Sequence, residues 1–207
     1  MKRTRIIKLN TTFKILLENS GFIALFITYL ISFIIGCICV FKNENLLNYI
    51  STEFKTFYNI RSSGNFGTIL LNSLLFAMPC VLLSFACGTS VVGCAISPIC
   101  LIYKGFIFGT YSGYIYEMYE LEGIVFNALI FMPSAITSVF ALILSVKESV
   151  AFSAILAKMC IKGKKNISLF TDFKGYCYKH LVILCILIVA VILDLGCSTL
   201  FIKFFKF

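Results

Sequence analysis

From Gly67 to Tyr116 the chain carries one charged residue in fifty, Lys104. At about 1.5 Å per residue, one straight helix of that length would reach roughly 75 Å, far more than the ~30 Å hydrocarbon core of a bilayer. The run must therefore fold back on itself. Gly88-Thr89-Ser90, with Gly93 close by, is the expected tight turn, which places two spans at about 68–87 and 91–116.

Three more apolar stretches are long enough to cross a membrane: 21–41, 124–146 and 180–202. Sixty per cent of the 207 residues are apolar and 13% are charged, against roughly 25% charged in soluble domains. The expected fold is an all-α, polytopic bundle of about five transmembrane helices with short interfacial amphipathic helices, all within one integral membrane domain, 1–207. The net charge of +9 does not mark a nucleic-acid binder. Such a protein needs its basic residues gathered on a water-exposed domain, and here they sit at the ends of apolar runs.

The connections carry the polar residues. Before the first span, Ile6, Leu9, Phe13, Leu16 and Leu17 fall near one helical face among lysines, an interfacial pattern. The stretch Ile34-Ile35-Gly36-Cys37 resembles a lipoprotein cleavage box but lies inside an uninterrupted apolar run, so the first span is read as a retained anchor. In the connection 42–66, Leu47, Ile50, Phe54, Phe57 and Tyr58 repeat at helical spacing. They predict a short amphipathic helix on the surface, ended by a turn at Ser62-Ser63-Gly64-Asn65. Glu117, Glu120 and Glu122 mark a break between the third and fourth spans. Residues 149–159 are apolar but too short to cross, which leaves a re-entrant helix, an interfacial helix or the end of span four.

Orientation follows from the basic residues. Twelve Lys or Arg flank the spans on the N-terminal side of the membrane and five on the other, with Lys104 within a span. The positive-inside rule then puts the N-terminus and 147–179 inside and the C-terminus outside a cytoplasmic membrane.

Few features carry chemistry. Lys104 and Asp194 are the charges well inside spans, where an unpaired charge costs several kcal/mol, on the order of 3. Both sit roughly 21 Å from the inner end of their helices, which leaves two readings: an ion pair, as a packing element or as an ion relay, or an Asp194 that faces the outer water layer. Gly105, Gly109 and Gly113 form a smooth groove for close approach of another helix, in this chain or in a partner, with Ser32 and Gly36 a weaker version. Eight of the ten cysteines lie in apolar runs, where a thiol serves as a small hydrophobe. With a single histidine, His180, and no C-x-x-C, no metal site is expected. No nucleophile elbow, H-E-x-x-H or phosphate loop is present, so neither an enzyme nor a cofactor is expected.

The stretch from Gly67 to Met159 combines an Asn in the second span (Asn72), a glycine-rich turn (Gly88, Gly93) and a polar residue before the glycine ladder (Lys104-Gly105, then Gly109 and Gly113). A Met-Pro step follows in the next span (Met132-Pro133), and then Phe152-Ser153. In these it resembles the stage II sporulation protein M family. The resemblance implies a non-catalytic membrane subunit that acts with a peptidoglycan-degrading enzyme and a second cell-wall protein during engulfment. Its partners would be the bilayer, membrane-anchored cell-wall hydrolases and a possible second copy. The alternative class is a small transporter or the membrane subunit of an ATP-driven exporter, supported by Lys104, Asp194 and Pro133.

Overall fold

The computed structural model describes residues 20–162 and 169–205, and the described chain is helical throughout. The N-terminal amphipathic pattern, Lys164, Lys165 and Lys206 lie outside the described residues. In chain order the helices are α1 (Ser20–Lys42), α2 (Glu44–Ser62), α3 (Phe66–Gly88), α4 (Gly93–Phe126), α5 (Met132–Lys162) and α6 (Leu169–Phe201). A π-turn, Asn127–Phe131, joins α4 to α5.

Four helical runs are long and apolar enough to cross a membrane: Ser20–Lys42, Phe66–Gly88, Gly93–Ile161 and Leu169–Phe204. The third is 69 residues long, roughly 100 Å if it were straight. It is broken at Glu120, whose φ of 44° is uncommon for a residue with a side chain. The chain reverses there. Gly123 comes back against the Ile115 backbone, and a Cβ at 123 would lie 3.0 Å from the Ile115 carbonyl carbon. The three glutamates are exposed around this break. The expected turn after Gly88 is also formed, since α3 ends at Gly88 and α4 begins at Gly93.

Proline placement explains the π-turn. Pro133 has no N–H and its ring crowds the carbonyl four residues earlier. One turn of wider helix at Asn127–Phe131 accommodates both effects. Residues 149–159 are the direct continuation of α5, so of the three readings open for them, the extension of the fourth apolar stretch is the one observed.

The closest helix pair is α1 on α4. An alanine Cβ at Gly105 would stand 2.9 Å from the Tyr29 carbonyl oxygen, and one at Gly113 would stand 3.0 Å from the Cys37 Cα. At Gly109 it would overlap the Phe33 carbonyl. The approach is reciprocal, because a Cβ at Gly36 would overlap the Phe106 carbonyl. Ser32 Oγ donates to the Ile102 carbonyl at 2.5 Å and Cys37 Sγ to the Gly109 carbonyl at 3.1 Å. The two small-residue stripes thus pack on each other. The glycine ladder is an internal seam and not a groove left open for a partner.

Gly109→Leu is therefore expected to fail in folding and not merely in partner binding. Forcing a branched side chain into a closed seam costs about 3 kcal/mol or more. Thermal unfolding in detergent should show a large drop for Gly109→Leu and a smaller one for Gly109→Ala, and an unchanged midpoint for both would refute the seam.

Candidate functional site

Two clusters of polar residues inside the bundle each tie three helices together. The first is built where α2 meets α3 and α6. Asn43 caps α2, its side-chain oxygen accepting from the Asn45 and Leu46 amides at 3.1 and 3.2 Å. One face of α2 then sinks into the bundle as its periodicity predicts, with Ile50 and Phe54 buried. The Phe54 ring lies 5.5 Å from Tyr114 and 5.7 Å from Phe126, and Phe57 stacks on Phe131 at 4.7 Å.

The last buried residue on this face is Arg61, 3% exposed. Its guanidinium donates to Asp194 Oδ2 of α6 at 2.5 Å and to Ser198 Oγ at 3.0 Å, with longer bonds of 3.4 Å to Asn72 and Ser73 of α3. Ser73 also donates to Asp194, and the guanidinium carbon lies 3.3 Å from the centre of the Phe57 ring. A cavity of about 140 Å³ lies beside this cluster, lined also by Glu53, Tyr111, Ser134 and Ser138. The cluster clamps the amphipathic helix to two apolar helices.

This corrects two readings of the sequence. The helix expected on the surface over 42–66, α2, does not simply lie on the outside, since it carries the buried Arg61. Asp194 does not pair with Lys104. Their depths match, but α3 stands between them: Asp194 meets Ser73, while Lys104 Nζ donates to the Phe76 carbonyl at 2.5 Å. The ammonium also lies 3.7 Å from the centre of the Phe76 ring.

The second cluster was missed in the sequence. Ser145, Ser149 and Ser153 recur every four residues along α5 and are fully buried. Ser149 Oγ donates to the Ser84 carbonyl at 2.7 Å and lies 3.1 Å from the Tyr176 hydroxyl, which donates to the Phe85 carbonyl at 2.8 Å. Ser153 Oγ donates to the Ser90 carbonyl at 2.7 Å and accepts from the Cys94 amide at 2.9 Å. Ser145 Oγ lies 3.1 Å from His180 Nε2. Gly88 is needed here, because a Cβ would overlap the Tyr176 hydroxyl, and Gly93 lies hard against the Cys87 carbonyl. The four-residue serine spacing was the available signal. For Arg61 it was a charge continuing the apolar stripe of Ile50, Phe54 and Phe57.

All ten cysteines are free thiols, and no group of potential metal ligands exists among the described residues. The clusters hold hydrogen bonds and charge. Neither sets a nucleophile against a base in an open site.

Asp194→Asn and Arg61→Met should each lose about 3–5 kcal/mol, since each leaves its partner buried and unpaired. The double variant should lose less than the sum. Lys104→Met combined with Asp194→Asn should instead be additive. Thermal unfolding of these proteins in detergent distinguishes the two couplings.

Comparison with curated proteins and with solved structures gives no significant match. A family model does match, over residues 23–194, from the first apolar helix to the aspartate of the buried ion pair. The match takes in the glycine seam, the Glu120 reversal, the Met132-Pro133 step and the serine ladder. This multi-pass helical membrane chain belongs to the stage II sporulation protein M family.

Proposed function

We propose that this protein is a non-enzymatic membrane scaffold subunit of a cell-wall remodelling complex, acting in the engulfment step of sporulation. The family match over residues 23–194 carries the reading. The interior supports it, because its polar residues are used to bind helices to one another.

In the proposed arrangement the chain crosses the cytoplasmic membrane five times, with the Glu120 break dividing its longest helical run into two crossings. The N-terminus and the serine-ladder end lie inside, and α2, the glutamate turn and the C-terminus lie outside. The twelve-to-five distribution of basic residues supports this orientation. With the glycine seam filled by α1, docking of partners falls to the outer end. Tyr49 on α2 is 67% exposed there, and Leu121 in the glutamate turn is 77% exposed.

The rival reading, a small transporter or the membrane subunit of an exporter, drew on Lys104, Asp194 and Pro133. Each has a local structural use here: capping the Phe76 carbonyl, holding Arg61, and shaping the π-turn.

Affinity purification from sporulating cells in mild detergent, followed by mass spectrometry, tests the role. Cell-wall hydrolases should co-purify, and Leu121→Glu should reduce them; an ATPase subunit in their place would favour the exporter. Orientation is read separately. With Cys160 as the single cysteine, an impermeant thiol reagent should label it only after the membrane is opened.

A further inference from the structure

A second, larger cavity lies on the opposite side of Phe131 from the ion pair. It is a cleft of about 530 Å³ between α1 and α5, within the 300–1,000 Å³ range of small-molecule sites. Its floor includes Ala135 and Val139, and its mouth is framed by the exposed side chains of Phe26, Leu30, Ile136 and Phe140. The polar groups at its base are Ser112 and Asn127, whose amide donates to Ser112 Oγ at 3.3 Å and to the Tyr116 hydroxyl. The cleft offers a ligand shape and apolar surface along almost all of its length.

Its dimensions narrow the choice of occupant. On α1 the cleft runs from Phe22 to Phe33, roughly 17 Å of helix. That is about half of the ~30 Å hydrocarbon core, the depth of one leaflet. Its end is marked by charge. Lys147 follows Ile136 by eleven residues and Phe140 by seven, so at 3.6 residues per turn it stands in line with both, one turn beyond Ile143 at the end of the cleft. Lys147 is half-buried and forms no ion pair among the described residues, while its neighbour Glu148 is taken by Lys179 at 2.7 Å.

We propose that the α1–α5 cleft holds one acyl chain of a phospholipid whose phosphate is bound by Lys147. The apolar walls match the chain, the cleft length matches one leaflet, and the ammonium complements the headgroup charge at the level where chain meets phosphate. A lysine placed between helices at the membrane surface is a recognised way to hold an anionic headgroup. The lipid would fill a gap in the bundle beside the α1–α4 seam and brace α1 against α5.

The test uses the whole chain in mild detergent, with phosphatidylglycerol as probe. Native mass spectrometry should show one phosphatidylglycerol bound to the wild type, and its addition should raise the unfolding temperature. Glycerol 3-phosphate has the phosphate without the chains and should do neither. Lys147→Glu should lower lipid occupancy at least about fivefold, on the scale of one lysine's attraction to an anionic surface. Val139→Phe, which fills the cleft, should abolish it. Lys147→Glu leaves the cleft lining itself unchanged and keeps the test decisive if Val139→Phe fails to fold. Wild-type occupancy in Lys147→Glu would overturn the proposal, as would equal protection by glycerol 3-phosphate. So would recovery of a partner protein's helix, and not lipid, cross-linked to Ile136.

Discussion

Hydrocarbon offers no hydrogen bonds, so every polar group carried into the bilayer must find its partner in the protein. That constraint organises this structure more than any attraction between apolar side chains, which lipid satisfies equally well. Lys104 is held by a backbone carbonyl and two aromatic rings. Asp194 is held by a guanidinium and a hydroxyl, and the serines of α5 by carbonyls of α3 and the 88–93 turn. Among the described residues, Ser97 Oγ is the buried side-chain polar atom without a partner.

The same constraint divides the bundle along its axis. Midway, where polar contacts are costly, α1 and α4 rely on glycine and serine to bring backbones together, and dispersion over a closely packed seam does the holding. Towards one end, hydroxyls and an imidazole tie α3, α5 and α6 through the serine ladder. Towards the other, a guanidinium does so for α2, α3 and α6. Arg suits that place: its planar fork meets Asp194 and Ser198 at once while its face lies on Phe57.

These features are the ones on which the proposed scaffold role rests. The protein's buried charges, Arg61, Lys104 and Asp194, are committed to internal contacts, and the strained backbone at Glu120 makes a tight reversal that presents three carboxylates and Leu121. Burial of Arg61 fixes α2 against the bundle, so the exposed side of that helix is offered at a set angle. Rigid presentation lowers the ordering cost of binding a partner.

Sequence alone determined the all-helical class and the breaks near Gly88 and Glu120, because membrane thickness and glycine, proline and charge placement act locally; that the last helix begins at Leu169, inside the polar segment 147–179, it did not show. It also determined the family, through the Asn72, Gly88, Gly93, Lys104-Gly105 and Met132-Pro133 pattern, and it marked the apolar face of α2. Only the tertiary structure decided which faces meet. Lys104 and Asp194 lie at one depth, yet depth says nothing of the angle around a helix, and α3 stands between them. The glycine ladder announced close approach without naming its partner, which proved to be α1. The role of Arg61 was not legible, because a charge in a polar connection has the same local signature whether it faces water or a buried carboxylate. That distinction depends on Asp194, 133 residues further along the chain.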